Sequence, residues 1–107
     1  MSKGGAADTT EERAPLFSED AERYVLGALL IDNGAFDDVA DVITEPDFYI
    51  GDHRKIWRGI VELLQRGKAA DALTVSDWLS AHEFEVENAL AYLSELFSST
   101  PGASGAI

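Results

Sequence analysis

The chain of 107 residues contains no cysteine, which excludes disulfide frameworks, thiolate metal sites and cysteine nucleophiles. That absence agrees with a reducing compartment. Histidine is almost as scarce, with only His53 and His82. They are far apart in sequence, whereas zinc sites draw on tightly spaced ligands such as two histidines four apart on one helix. Neither a Gly-x-x-x-x-Gly-Lys-Ser/Thr loop nor a Gly-x-Ser-x-Gly elbow occurs, so no phosphate cradle or activated serine can be read from motifs. Apolar runs stay far below the ~20 residues of a membrane-spanning helix. The N-terminus lacks the basic-then-apolar pattern of a secretory signal. These absences lead to the expectation of a cytoplasmic domain with no cofactor, no metal and no membrane partner.

Positive charge is also in short supply. Eight Lys and Arg face twenty Asp and Glu, for a formal net charge of −12. The distribution is uneven: residues 18–50 carry −8, residues 51–68 carry +3 and residues 69–107 carry −6. Binding to a phosphate backbone depends on Lys and Arg displacing condensed counterions, so direct nucleic-acid binding is not expected. The basic 51–68 block suits an acidic protein surface, including a second copy of this chain.

What the chain does have is helical patterning. Residues 1–17, with Gly4-Gly5, Ala6-Ala7 and Pro15, show no apolar period and read as a flexible leader. Ser18 is a good N-cap, and Glu19, Asp20 and Glu22 suit the positive end of a helix. That helix carries Ala21, Val25, Ala28 and Leu29, with Leu26 and Leu30, on one face. Gly27 inside it predicts a close helix–helix crossing. After Asp32-Asn33-Gly34, a second helix is expected to bury Phe36, Val39, Val42 and Ile43. Pro46 opens a short turn, and Asp52 is read as the cap of a third helix with Ile56, Trp57, Ile60, Val61, Leu63 and Leu64 facing inward. Gly67 ends it in a left-handed conformation.

Further along, Thr74 with Asp77 approximates a capping box, followed by Val75, Trp78 and Leu79 on one face. A last helix buries Ala89, Leu90, Leu93, Leu96 and Phe97, and Thr100-Pro101-Gly102 stops it. The expectation is an all-α, compact orthogonal bundle of five to six short helices spanning residues 18–107. Asp37, Asp38 and Asp41 fit a solvated helix face. His53 is placed in the first turn of its helix with a local hydrogen bond, and His82 at a helix end. Tyr92 lies at the edge of its apolar face, where an exposed aromatic can serve as a docking residue.

An ordered series of short segments resembles the N-terminal domain of bacterial replicative DNA helicases of the DnaB type. It comprises Ala21-Glu22-x-x-Val25-Leu26-Gly27-Ala28-Leu29-Leu30, Phe36-x-x-Val39-Ala40, and Asp47-Phe48-Tyr49-x-x-x-His53-Arg54-x-Ile56-Trp57. Asp71-x-x-Thr74-Val75-x-x-Trp78-Leu79, Ala91-Tyr92-Leu93-x-x-Leu96 and Thr100-Pro101 continue it, over roughly residues 15 to 107. The chain departs from the family at Ala69, often a proline there, and at Asn88-Ala89, commonly Gly-Gly.

The resemblance implies a non-catalytic head that joins other helicase subunits in the N-terminal collar of a hexamer and docks primase. ATP and Mg would belong to the family's motor domain, together with the helical hairpin and linker that this chain lacks. The family's partner contacts map here onto Asp20, Glu22, Asp71 and Tyr92. Because the hairpin supplies much of the family's dimer contact, the isolated chain is expected to be a monomer or weak dimer. Two other readings compete: the helicase-binding domain of a primase, which resembles this fold, and a small hydrolase using His53 with nearby carboxylates.

Overall fold

The computed structural model describes residues 18–100; the leader and the Pro101-Gly102 stop signal lie outside them. Five α-helices and two single 3-10 turns form the regular structure of the described residues. Helix α1 spans Glu19–Ile31, capped by Ser18, whose Oγ accepts from the Ala21 N–H at 3.1 Å. Its buried residues are Glu22, Leu26, Gly27, Leu29 and Leu30. Ala21 and Val25 are only partly buried, so the inward face is rotated toward Glu22, a carboxylate drawn inside by partners described below.

Asp32 ends α1 and accepts from the Gly34 N–H at 3.0 Å, starting a 3-10 turn over Asn33–Ala35. Helix α2, Phe36–Ala40, has only five residues, little more than one turn. Because it stops at Ala40, the helical period does not carry on. Ile43 is buried, but Val42 is 65 % exposed, contrary to expectation. A 3-10 turn at Glu45–Asp47 contains Pro46 in its first turn.

Helix α3 runs over Gly51–Gln65 and buries His53, Ile56, Trp57, Gly59, Ile60 and Leu63. Its cap position is Ile50, so Asp52 sits in the first turn and does not cap. The far end closes as expected. Gly67 has φ +75°, its N–H donates to Leu64 O at 3.0 Å, and the Lys68 N–H donates to Leu63 O at 2.9 Å. That is the paired arrangement of a glycine-terminated helix.

Helix α4 spans Ala72–Ala81 and α5 spans Ala89–Ser99. The capping box of α4 is the reverse of the one read from sequence: Asp71 is the cap and Thr74 the third residue. Asp71 Oδ1 accepts from the Thr74 N–H at 2.8 Å, and the Asp71 N–H donates to Thr74 Oγ1 at 2.9 Å. Val75, Trp78 and Leu79 are buried as a face. On α5 only Leu93 and Leu96 are buried, while Leu90 and Phe97 are 47 % and 43 % exposed.

Helices α1 and α5 pack together, α4 packs on both α3 and α5, and α1 also touches α3. Leu26, Leu29, Phe48, Ile56, Ile60, Val75, Leu93 and Leu96 are wholly buried between them. Phe48 packs on Trp57 with ring centres 5.3 Å apart. This packing brings the start of α1, the start of α3 and the middle of α5 to one end of the bundle.

Candidate functional site

At that end two ionisable side chains are enclosed. Glu22 and His53 are each only 1 % exposed. Burying a carboxylate is costly unless its oxygens are satisfied, and here they are. Glu22 Oε2 accepts from the Tyr49 N–H at 2.6 Å, and Oε1 from the Ile50 N–H at 3.3 Å. The same Oε1 lies 2.7 Å from His53 Nδ1. Tyr49 and Ile50 immediately precede α3, so Glu22 takes up backbone donors at a helix start that has no side-chain cap of its own.

The other ring nitrogen, His53 Nε2, lies 2.6 Å from the Tyr92 hydroxyl, and the two rings stack at 5.8 Å with planes 13° apart. Tyr92 also receives a 3.5 Å hydrogen bond from Arg23 Nη1, whose guanidinium lies 5.5 Å from the ring centre. Arg23 Nη2 in turn meets Glu95 Oε2 at 3.3 Å. Burial pushes the Tyr92 pKa above its ordinary value, with Arg23 opposing. Burial works against the Arg23 cation, but Tyr92 and Glu95 outweigh it and leave its pKa raised.

Tyr92 stands at the side of an open groove of about 610 Å³ between the starts of α1 and α3 and the first half of α5. Ile50, Val86 and Ala91 give it an apolar lining, and Glu19, Asp52, Glu87 and Glu95 make it acidic. The hydrolytic reading finds no access here, because both nitrogens of His53 are engaged and the ring is enclosed. Its hydrogen bonds are long-range, not local as expected. His82 does sit at a helix end, with Nδ1 2.9 Å from Trp78 O. Among the described residues, no group of three or more His, Asp or Glu is placed to hold a metal.

The four residues singled out from sequence do not form one cluster. Tyr92 lines the groove, and Asp20 is exposed nearby, in a shallow depression with Arg23, Tyr24 and Thr100. Glu22 is not a surface residue at all. Its carboxylate is used up inside, so it cannot itself touch a partner. Asp71 is exposed but lies beyond the other end of α1: the neighbouring Ala70 is bound by Asn33 at 2.9 Å, and the helical rise from Asp20 to Ile31 alone spans ~16 Å. Sequence reading missed His53 and Arg23 as the partners of Tyr92. The acidic and aromatic residues were visible, but nothing local links positions so far apart in sequence.

The family model described as the DnaB-like helicase N-terminal domain matches residues 14–107. The chain belongs to that family. As a DnaB N-terminal domain it is a non-catalytic domain. It is 36 % identical over 94 residues to the replicative DNA helicase DnaB of Geobacillus stearothermophilus, covering 87 % of this chain and 21 % of the relative. The corresponding helicase of Pasteurella multocida is 33 % identical, covering 87 % of this chain and 20 % of the relative. The chain thus spans about a fifth of the length of these helicases. The crystal structure of the N-terminal domain of DnaB helicase from Mycobacterium tuberculosis superposes with a TM-score of 0.75 at 33 % identity, covering 86 % of this chain and 66 % of that one. The DnaB assignment also decides against a primase fragment as the family of this chain. No described helix is long and apolar enough to cross a membrane.

Proposed function

We propose that this DnaB N-terminal domain is the interaction and assembly head of a replicative DNA helicase, that it docks primase through the groove beside Tyr92, and that it contributes to the N-terminal collar of a hexamer. The observation that carries the docking reading is the placement of Tyr92. It is an aromatic with a polar tip, half-buried, anchored by His53 and Arg23, and flanked by exposed carboxylates. Residues of this type, rigid and partly desolvated, are the ones that dominate protein interfaces. Asp20 adjoins the same end of the bundle. Asp71 enters only as a second contact, for a partner able to reach along α1.

In isolation the chain is a monomer or weak dimer. The exposed apolar residues on α5, Leu90 and Phe97, are seven residues apart and few. ATP and Mg are handled by the motor domain of the whole helicase, and the cell compartment is the cytoplasm.

The test is a titration of the folded 107-residue chain with the helicase-binding domain of primase, comparing wild type with Tyr92→Ala and Asp20→Ala. Circular dichroism checks that the helices persist. Loss of a hot-spot side chain is expected to weaken binding by about tenfold or more for Tyr92→Ala. Equal affinity for wild type and the Tyr92 variant overturns the docking reading, and a tight hexamer of the isolated chain in sedimentation overturns its monomeric state.

A further inference from the structure

Glu22 and His53 are buried together at 2.7 Å and 1 % exposure each. The backbone N–H groups of Tyr49 and Ile50 account for Glu22, but they do not account for His53, and a buried ion pair as such is often no more stabilising than apolar side chains of similar volume. What the pair does have is direction. Glu22 is saturated by two backbone N–H groups and by one nitrogen of His53. The other nitrogen meets the hydroxyl of Tyr92 at 2.6 Å. The series begins on α1, passes through α3 and ends on a half-buried oxygen beside the groove.

The groove itself states what that oxygen faces. Of its carboxylates, Asp52 has Lys55 at 3.8 Å and Glu95 has Arg23 at 3.3 Å. Glu19 and Glu87 make no ion pair with any described residue. A group arriving beside Tyr92 therefore meets two carboxylates with no ion pair among the described residues, and an oxygen oriented by His53 that so far accepts only a long 3.5 Å hydrogen bond from Arg23.

We propose that Glu22 and His53 are positioning residues of the docking groove: they fix the Tyr92 hydroxyl so that it, together with Glu19 and Glu87, receives a cationic side chain, Arg or Lys, of the protein partner. This rests on the docking reading above and adds to it the chemistry of the contact. The hydroxyl is the recognised group, not the ring alone. A phenol oxygen already held at hydrogen-bonding distance loses less freedom when it is engaged, which is the energetic benefit of pre-organisation.

The experiment is a double-mutant cycle on binding to the helicase-binding domain of primase, using the folded 107-residue chain. Tyr92→Phe and His53→Leu are each expected to weaken binding by roughly tenfold, and the double variant by no more than either, because both remove the same oriented hydroxyl. If His53→Leu does not fold, His53→Phe takes its place in the cycle, since it keeps an aromatic ring beside Tyr92 and removes both ring nitrogens. Glu19→Lys and Glu87→Lys are each expected to weaken binding, less than additively with Tyr92→Phe because all three groups act on one cation, and added salt to diminish their effect.

The failures are distinguishable. Wild-type affinity for Tyr92→Ala removes the docking site altogether. Weak binding by Tyr92→Ala with wild-type affinity for Tyr92→Phe keeps the site and overturns the positioning role. Independent, multiplying losses in the His53–Tyr92 cycle overturn it too, because a merely structural His53 has no reason to act through that oxygen. Wild-type affinity for both charge reversals overturns the cationic contact.

Discussion

Gly27 of α1 and Thr100 at the end of α5 are so close that a Cβ on Gly27 would lie 1.8 Å from Thr100 Oγ1. The oxygen cannot simply swing away, because it donates to Leu96 O at 2.6 Å and Thr100 is buried. The Leu96 carbonyl oxygen itself would be 2.7 Å from the added carbon. Gly27→Ala gains about 1 kcal/mol in helix propensity but forces α1 and α5 apart. Overpacking of this kind costs about 1–3 kcal/mol, so a net loss of stability is expected in urea denaturation. Thr100→Ala should restore only part of it, because the Leu96 oxygen stays. A stabilised Gly27→Ala single variant would show that this crossing is loose.

The cap of α4 offers a cleaner measurement. Asp71 and Thr74 exchange hydrogen bonds at 2.8 and 2.9 Å, whereas Asp77, the partner read from sequence, lies in the body of α4. Asp71→Ala should therefore cost about 1 kcal/mol as the loss of an N-cap, and Asp71→Asn much less. Asp77→Ala should leave the denaturation midpoint nearly unchanged. If Asp77→Ala is the more damaging of the two, the assignment of the cap fails.

What was legible in the sequence was local. Ser18, Gly67 and the Val75-Trp78-Leu79 face act through neighbours within a turn or two, and each is where the pattern puts it. The errors share one cause. Thr74 pairs with either Asp71 or Asp77 at the same spacing, so sequence alone cannot orient the box. Val42 continues a helical period that the chain abandons at Ala40. Asn33, read as a helix breaker, bridges α1 to the α4 start by accepting from the Ala70 N–H and donating to Leu29 O and Ala70 O. The candidate site was least legible of all. Glu22, His53 and Tyr92 meet across separations of 31 and 39 residues, and an acidic residue at a helix start looks solvated until the fold encloses it.

The α4–α5 connection holds a position open to improvement. Glu83 has φ +58°, while its N–H donates to Ser80 O at 3.1 Å and the Phe84 N–H to Leu79 O at 2.9 Å. This is the same closure that Gly67 gives α3, made with a residue that has a Cβ. A left-handed conformation costs an L-residue about 1–2 kcal/mol. Glu83→Gly removes that strain, and the added freedom of the unfolded chain takes some back. A gain of up to about 1 kcal/mol is expected, read as a higher midpoint with an unchanged denaturant slope. A loss would mean that the Glu83 side chain holds the connection in place.

Tyr92 gives the fold an alkaline limit. Burial raises its pKa above the ordinary 10.0, with Arg23 opposing. At lower pH both folded and unfolded chains keep the phenol proton, and the contribution to stability is complete. As pH climbs past 10.0, the unfolded chain ionises first and so binds fewer protons than the folded one. Stability then falls with pH, until the folded Tyr92 ionises as well. Tyr92→Phe removes this titration. It should start from lower stability at neutral pH, through the lost hydrogen bonds to His53 and Arg23, yet decline less steeply under alkaline conditions. Melting temperatures of both proteins across that range, with tyrosinate absorbance recorded alongside, provide the check. Parallel alkaline slopes would mean that Tyr92 titrates alike in the folded and unfolded chains.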